Sequence, residues 1–202
     1  EEGIDLWLTF VRETEVCMDP VLDLILGGHC TWQSAFMIPR HGEPVAIVGS
    51  LDESRTRDSG GYKVIGYKQG IGEILIEKIK SFDPETIAIN YSTDDYMADG
   101  LSHGMYTILT GYLEGTPYID RLVSSERLVS KLRGRKSQDE IERIRRNVIL
   151  TEKIFDRVTG FVRPGMTEKE VAGFILSEVD KEGVETSWER EMCPSVFTGP
   201  ES

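Results

Sequence analysis

Two helix-start signatures on either side of a Pro-Gly turn constrain this chain more than any other feature. Ser137 stands three residues before Glu140, and Thr167 three residues before Glu170. In such a capping box the hydroxyl accepts from the backbone N–H three residues on, and the carboxylate accepts from the N–H of the capping residue. Two otherwise orphaned donors are satisfied together. Ile141, Ile144, Val148, Phe155 and Val158 then mark one face of a helix of about six turns. Pro164-Gly165 breaks the chain, Val171, Phe174, Ile175 and Val179 stripe a second helix, and Gly183 stands where it should stop. The pattern predicts a helix–turn–helix hairpin and carries no chemistry by itself.

The residues before the hairpin alternate between strand and helix signals. Ile4 to Phe10 is almost continuously apolar and β-favouring, which predicts a buried strand. Val21 to Gly28 is too short to decide between a strand end and a helical turn. Ala35–Ile38 and Val45–Val48 flank the turn-rich Pro39-Arg40-His41-Gly42-Glu43-Pro44 and predict a hairpin, with a further strand over 62–67. Ile71, Ile74, Leu75, Ile79 and Phe82 recur at helical spacing, and a strand is expected at Thr86–Asn90. Ser92 is expected to cap a helix whose inner face runs from Met97 to Tyr112, with Asp94 and Asp95 in its first turn. A strand in Pro117–Val123 and a short helix complete an α/β domain with a mixed sheet flanked by helices. The expected boundaries are a domain over 1–127, a basic linker over 128–136 and a second segment over 137–202. Glu1-Glu2-Gly3 reads as the end of a helix, and Met192–Thr198 as a strand that Gly199-Pro200 turns.

Composition narrows the class of partner. A net charge of −12 argues against nucleic acid, which needs a basic face, and against an anionic membrane surface. No run approaches the ~18 apolar residues of a membrane helix. Cys17, Cys30 and Cys193 form neither a CxxC pair nor an even set, so buried thiols in a reducing cytoplasm are expected.

Signals for catalysis are sparse. His29, His41 and His103 lie in unrelated segments without metal-binding spacing. Asp95 and Asp99 would share a helical face at i, i+4, where two carboxylates can hold a divalent cation. The simpler reading is a solvated pair answering the helix dipole. Gly70-x-Gly72 lacks the third glycine of a dinucleotide loop. The cations from Lys131 to Arg146 are interleaved with Asp139, Glu140 and Glu142, as in a solvated helix entry. Trp32 and Trp188 stand in polar surroundings, where aromatics favour interfaces and pockets, although ordinary half-buried packing is the simpler reading for each.

The stretch "KLRGRKSQDEIERIRRNVILTEKIFDRVTGFVRPGMTEKEVAGFI" resembles the start of the catalytic domain in the creatinase/prolidase/aminopeptidase P family, the pita-bread metallopeptidases. The Leu-Arg-x-x-Lys-Ser lead-in, the long helix opened by Glu140-Ile141 and the Arg-Pro-Gly-Met-Thr-Glu turn over 163–168 carry the resemblance. It implies a creatinase-type amino-terminal α/β domain followed by the first helical hairpin and strand of an α+β pita-bread domain. It further implies a hydrolase acting on Xaa-Pro peptides with two divalent metal ions (Mn, Co or Zn), a homodimer formed through the amino-terminal domain, and a cytoplasmic location. None of the family's metal ligands or catalytic residues matches a position in this chain, which is expected to be inactive and metal-free alone. Trp32 and His103 are the candidates for the rim of a neighbouring active site. A non-catalytic oligomerisation or partner-binding module, or part of a creatinase-type C–N hydrolase that needs no metal, are the alternatives.

Overall fold

The six residues of Leu6–Val11 (β1) are all buried, as a strand apolar on both faces must be. The computed structural model describes residues 3–197. Within them β1 lies inside a sheet with Ser34–Pro39 (β2), Val45–Gly49 (β3), Lys63–Tyr67 (β4), Ile87–Ile89 (β5) and Leu122–Ser124 (β6), in the order β4-β3-β2-β1-β5-β6. Only β2 runs against its neighbours. It pairs antiparallel with β1 and β3, while β1 with β5, β5 with β6 and β3 with β4 are parallel. The sheet is therefore mixed and the domain α/β, with the β2–β3 hairpin where the turn residues placed it.

Alternation along β1 divides the core. Leu6, Leu8 and Phe10 face one side with Gly72–Phe82 (α3) and His103–Leu113 (α4), whose Leu75, Ile79, Met105, Leu109 and Leu113 complete the larger cluster. On the other side, Val11 and Phe36 pack with Leu22 of Leu22–Ile25 (α1) and with Cys30. Trp7 and Ala88 pack with Val21, Ala98 and Val129 of Glu126–Gly134 (α5). Of the three thiols, only Cys30 is buried. Cys17 is exposed and Cys193 half-buried, and all are free.

Local chemistry overrode several expectations. The helix expected from Ser92 is two pieces, a 3₁₀ turn at Tyr96–Ala98 and then α4. The Asp95 carboxylate accepts from the Met97 N–H and starts the first, and the Ser102 hydroxyl accepts from the Met105 N–H and starts the second. Ser92 instead accepts from the Asp94 and Asp95 N–H groups and closes a turn. Asp95 and Asp99 flank the 3₁₀ turn and share no helical face. Pro117–Arg121 is 3₁₀ where a strand was expected, because Thr116 caps it with Pro117 in its first turn. Glu53–Ser59 (α2) escaped notice because its only buried residue is Thr56. Residues 128–134 lie in α5, the short helix expected there, and the compact units divide between Arg135 and Lys136.

The second unit is the hairpin. Gln138–Phe161 (α6) and Glu168–Glu182 (α7) both carry complete capping boxes, and Gly183 ends α7 at φ +66°. Phe161 and Phe174 stack with ring centroids 3.9 Å apart, and Ile154, Val158 and Val171 are buried. Glu178, 4% exposed, is held by Arg157 Nε at 2.6 Å and by Lys181. Much of the α6 stripe stays open, since Ile144, Val148 and Phe155 are all about half exposed or more. The strand expected at Met192–Thr198 does not form over the described part, Met192 to Phe197, which runs through turns and bends. A lone strand has no ladder partner for its backbone groups. Thr198 and the Gly199-Pro200 turn lie outside the described residues, as do Glu1 and Glu2 of the proposed helix end. Gly3 has the left-handed φ of +69° that such a stop needs.

Candidate functional site

From β1 the chain turns towards β2, and from β5 towards β6 on the other side, so the carboxyl ends of these neighbouring parallel strands frame a switch point. Ligands of open α/β sheets bind in the crevice at such points. Two loops meet there, over residues 12–21 and 90–102.

A buried polar cluster holds the loops to the sheet. Asn90 is 1% exposed and uses its full hydrogen-bonding capacity. Its Oδ1 accepts from Trp7 Nε1 at 2.8 Å and Ser125 Oγ at 2.9 Å, and its Nδ2 donates to Thr9 Oγ1 at 3.0 Å and Asp19 Oδ2 at 2.8 Å. The other Asp19 oxygen accepts from the Val21 N–H at 2.9 Å. Burial pushes the Asp19 carboxyl above the usual range, opposed by the hydrogen bonds from Asn90 and Val21 and reinforced weakly by nearby Asp99. Gly100 lies directly on this carboxyl, where a Cβ would come within 2.1 Å of Asp19 Cγ. The loops can meet only because residue 100 has no side chain.

Above this anchor is a cleft of about 660 Å³ lined in part by Met18, Tyr91, Asp99, His103 and Tyr106, with the exposed thiol of Cys17 beside them. His103 is the first residue of α4, and its imidazole makes no hydrogen bond among the described residues. Trp32 lies at the carboxyl end of β3, packed on Gly49 with its ring 5.8 Å from that of Tyr67. The Thr31 and Trp32 N–H groups donate to Asp52 Oδ2, which fixes that turn. The two rim candidates thus share the carboxyl-end side of the sheet, but Trp32 does not line the cleft that holds His103. Tyr91, Tyr106 and Met18 went unremarked in the sequence. The Asp99-Gly100 dipeptide, a turn signal, was the clue that the helix broke there and opened a cleft. Trp188 is in the other unit, exposed, its Nε1 donating to the Met192 carbonyl at 3.2 Å.

Among the described residues no group of three or more His, Cys, Asp or Glu side chains could hold a metal ion, and no helix is long and apolar enough to cross a membrane. The described residues do not fit a two-metal centre.

No protein-family model and no curated protein sequence matches the chain. Solved structures do. An Xaa-Pro dipeptidase from Bacillus anthracis superposes with a TM-score of 0.56 at 18% identity, over 89% of this chain and 45% of its own. An X-Pro aminopeptidase from Thermotoga maritima gives 0.55 at 20% identity, over 89% and 47%. The likeness is one of fold. A proline dipeptidase from Streptococcus pneumoniae gives 0.50 at 15% identity, over 67% of this chain and 90% of its own. The chain spans less than half the length of the first two structures. At these identities the likeness shows the fold alone.

Proposed function

We propose that this chain is the amino-terminal part of an Xaa-Pro peptidase-like metallohydrolase. Residues 1–127 would act as a creatinase-type amino-terminal domain and 137–202 as the start of a pita-bread catalytic domain. The observation that carries the reading is coverage: the match takes in 89% of this chain, more than its first unit, and only 45% of the Bacillus anthracis dipeptidase. The half-exposed α6 stripe supports it, because an apolar face of this extent is ordinarily covered.

In this reading the amino-terminal domain forms a homodimer, and Trp32 and His103 contribute to the rim of the neighbouring subunit's active site. Their position on the carboxyl-end side of the sheet favours that role. The two divalent ions that the resemblance implies would supply Lewis-acid chemistry, on side chains that the described residues do not provide. Three free cysteines suit a cytoplasmic location.

The test compares the natural polypeptide that carries this sequence with the 202-residue chain, both supplied with Mn²⁺ and an Ala-Pro dipeptide. Turnover by the natural polypeptide and none by the short chain is expected. An inactive natural polypeptide, or turnover by verified 202-residue material, contradicts the proposal.

A further inference from the structure

We infer that the cleft at the carboxyl ends of β1 and β5 binds an ammonium group carried on an apolar body, as in an arylalkylamine or the protonated amine of a peptide. Tyr91 and Tyr106, each about two-fifths exposed, and Met18 give the cleft an apolar, partly aromatic lining. Neither phenol oxygen makes a hydrogen bond among the described residues, so both rings are free to turn a face to a guest. Ring faces carry the negative end of the aromatic quadrupole and attract cations.

Asp99 supplies the charge. One carboxylate oxygen accepts from the Ser92 N–H at 3.2 Å, and the other has no partner among the described residues. The two loops carry Glu13, Glu15, Asp19, Asp94, Asp95 and Asp99 against Arg12. The local field therefore excludes anions and concentrates cations. A carboxylate beside two tyrosines and a methionine discriminates between an amine and an acid of the same size. The floor is rigid, because Gly100 rests on the Asp19 carboxyl that Asn90 clamps. The site needs no catalytic domain, so it stands or falls independently of peptidase activity.

The experiment titrates the ¹⁵N-labelled 202-residue protein with 2-phenylethylamine and, as the matched anion, phenylacetate. Saturable shifts at the Tyr91, Gly100 and His103 amides are expected with the amine, with affinity about fivefold or more above that for phenylacetate. Raising salt from about 0.05 M to about 0.5 M should weaken amine binding about threefold. Asp99→Asn keeps an acceptor for the Ser92 N–H and should lose most of the preference for the amine. Tyr106→Leu should weaken the amine while leaving phenylacetate unchanged. Equal affinity for the two compounds, no saturable shift at those amides, or an Asp99→Asn protein that still prefers the amine would each overturn the inference. The first two outcomes are read on the unmutated chain.

Discussion

Asn90 Nδ2 lies 2.8 Å from Asp19 Oδ2, across 71 residues of sequence, and both side chains are almost wholly buried. Through this contact the loop after β1 is tied to the end of β5, and through Ser125 to the start of α5. Every polar group in the cluster has a partner. Satisfied networks of this kind specify one arrangement of a core, and partly broken ones are costly.

Asn90→Ala strands the Trp7 indole N–H, the Ser125 and Thr9 hydroxyls and one Asp19 oxygen together. Since a buried polar group left unpaired costs roughly 1–3 kcal/mol, a loss of about 3 kcal/mol in unfolding free energy is expected. Urea denaturation followed by tryptophan fluorescence measures it. A loss below about 0.5 kcal/mol, the range of ordinary surface changes, would show that the network contributes little.

Gly100→Ala places a methyl group against a carboxyl that cannot retreat, because Val21 and Asn90 hold both its oxygens. Overpacking of this sort costs about 1–3 kcal/mol. The backbone of residues 97–102 should shift, visible as a loss of hydrogen-exchange protection at the Leu101 N–H, which donates to the Asn90 carbonyl. Unchanged protection at Leu101 would refute the close-contact argument.

The two units should respond to pH with opposite sign. Asp19 has a raised folded-state pKa, so its contribution is fully present below the ordinary value of 3.8 and is lost as pH rises through the raised one. Glu140 and Glu170 are held below their usual range by hydrogen bonds from the N–H and hydroxyl of Ser137 and Thr167. Asp180 is held low by Arg190. These three contribute fully above their ordinary values and lose that contribution as pH falls through the lowered ones. Amide exchange resolved by unit between pH 3 and 7 should show the first unit loosening with rising pH and the second tightening. Asp19→Asn should flatten the first unit's trend, and Glu140→Gln should weaken the second's without abolishing it, since Glu170 and Asp180 remain. Parallel trends would contradict the assignment.

Arg157→Met should destabilise the hairpin by about 2 kcal/mol, the scale of a charge-assisted hydrogen bond, because buried Glu178 is left with Lys181 alone. The side chain of Arg157 is 40% exposed, which argues against a larger figure. Thermal unfolding of α6–α7 followed by circular dichroism reads the change, and an unaltered midpoint would count against the bridge.

What could be read from the sequence was what its local chemistry decides. Ser137 with Glu140 and Thr167 with Glu170 form complete capping boxes because all their partners lie within four residues. The almost unbroken apolar run at β1 marked the sheet interior for a similar reason. Misread elements turned on competition between neighbours. Ser92 looked like a helix cap, but Asp95 and Ser102 cap separate pieces on either side of Gly100. The Asp19–Asn90 anchor was illegible, since nothing near either residue announces a partner 71 positions away. The cleft followed suit: His103 stood out by residue type, whereas Tyr91 and Tyr106 became notable only once the fold placed them beside Asp99.

If these residues are part of a longer polypeptide, as proposed, the intact mass of the natural protein must show it. A mass well above 22.8 kDa, in keeping with structures of which this chain spans less than half, is the predicted result. A mass of 22.8 kDa would contradict the account and leave a module without a catalytic domain.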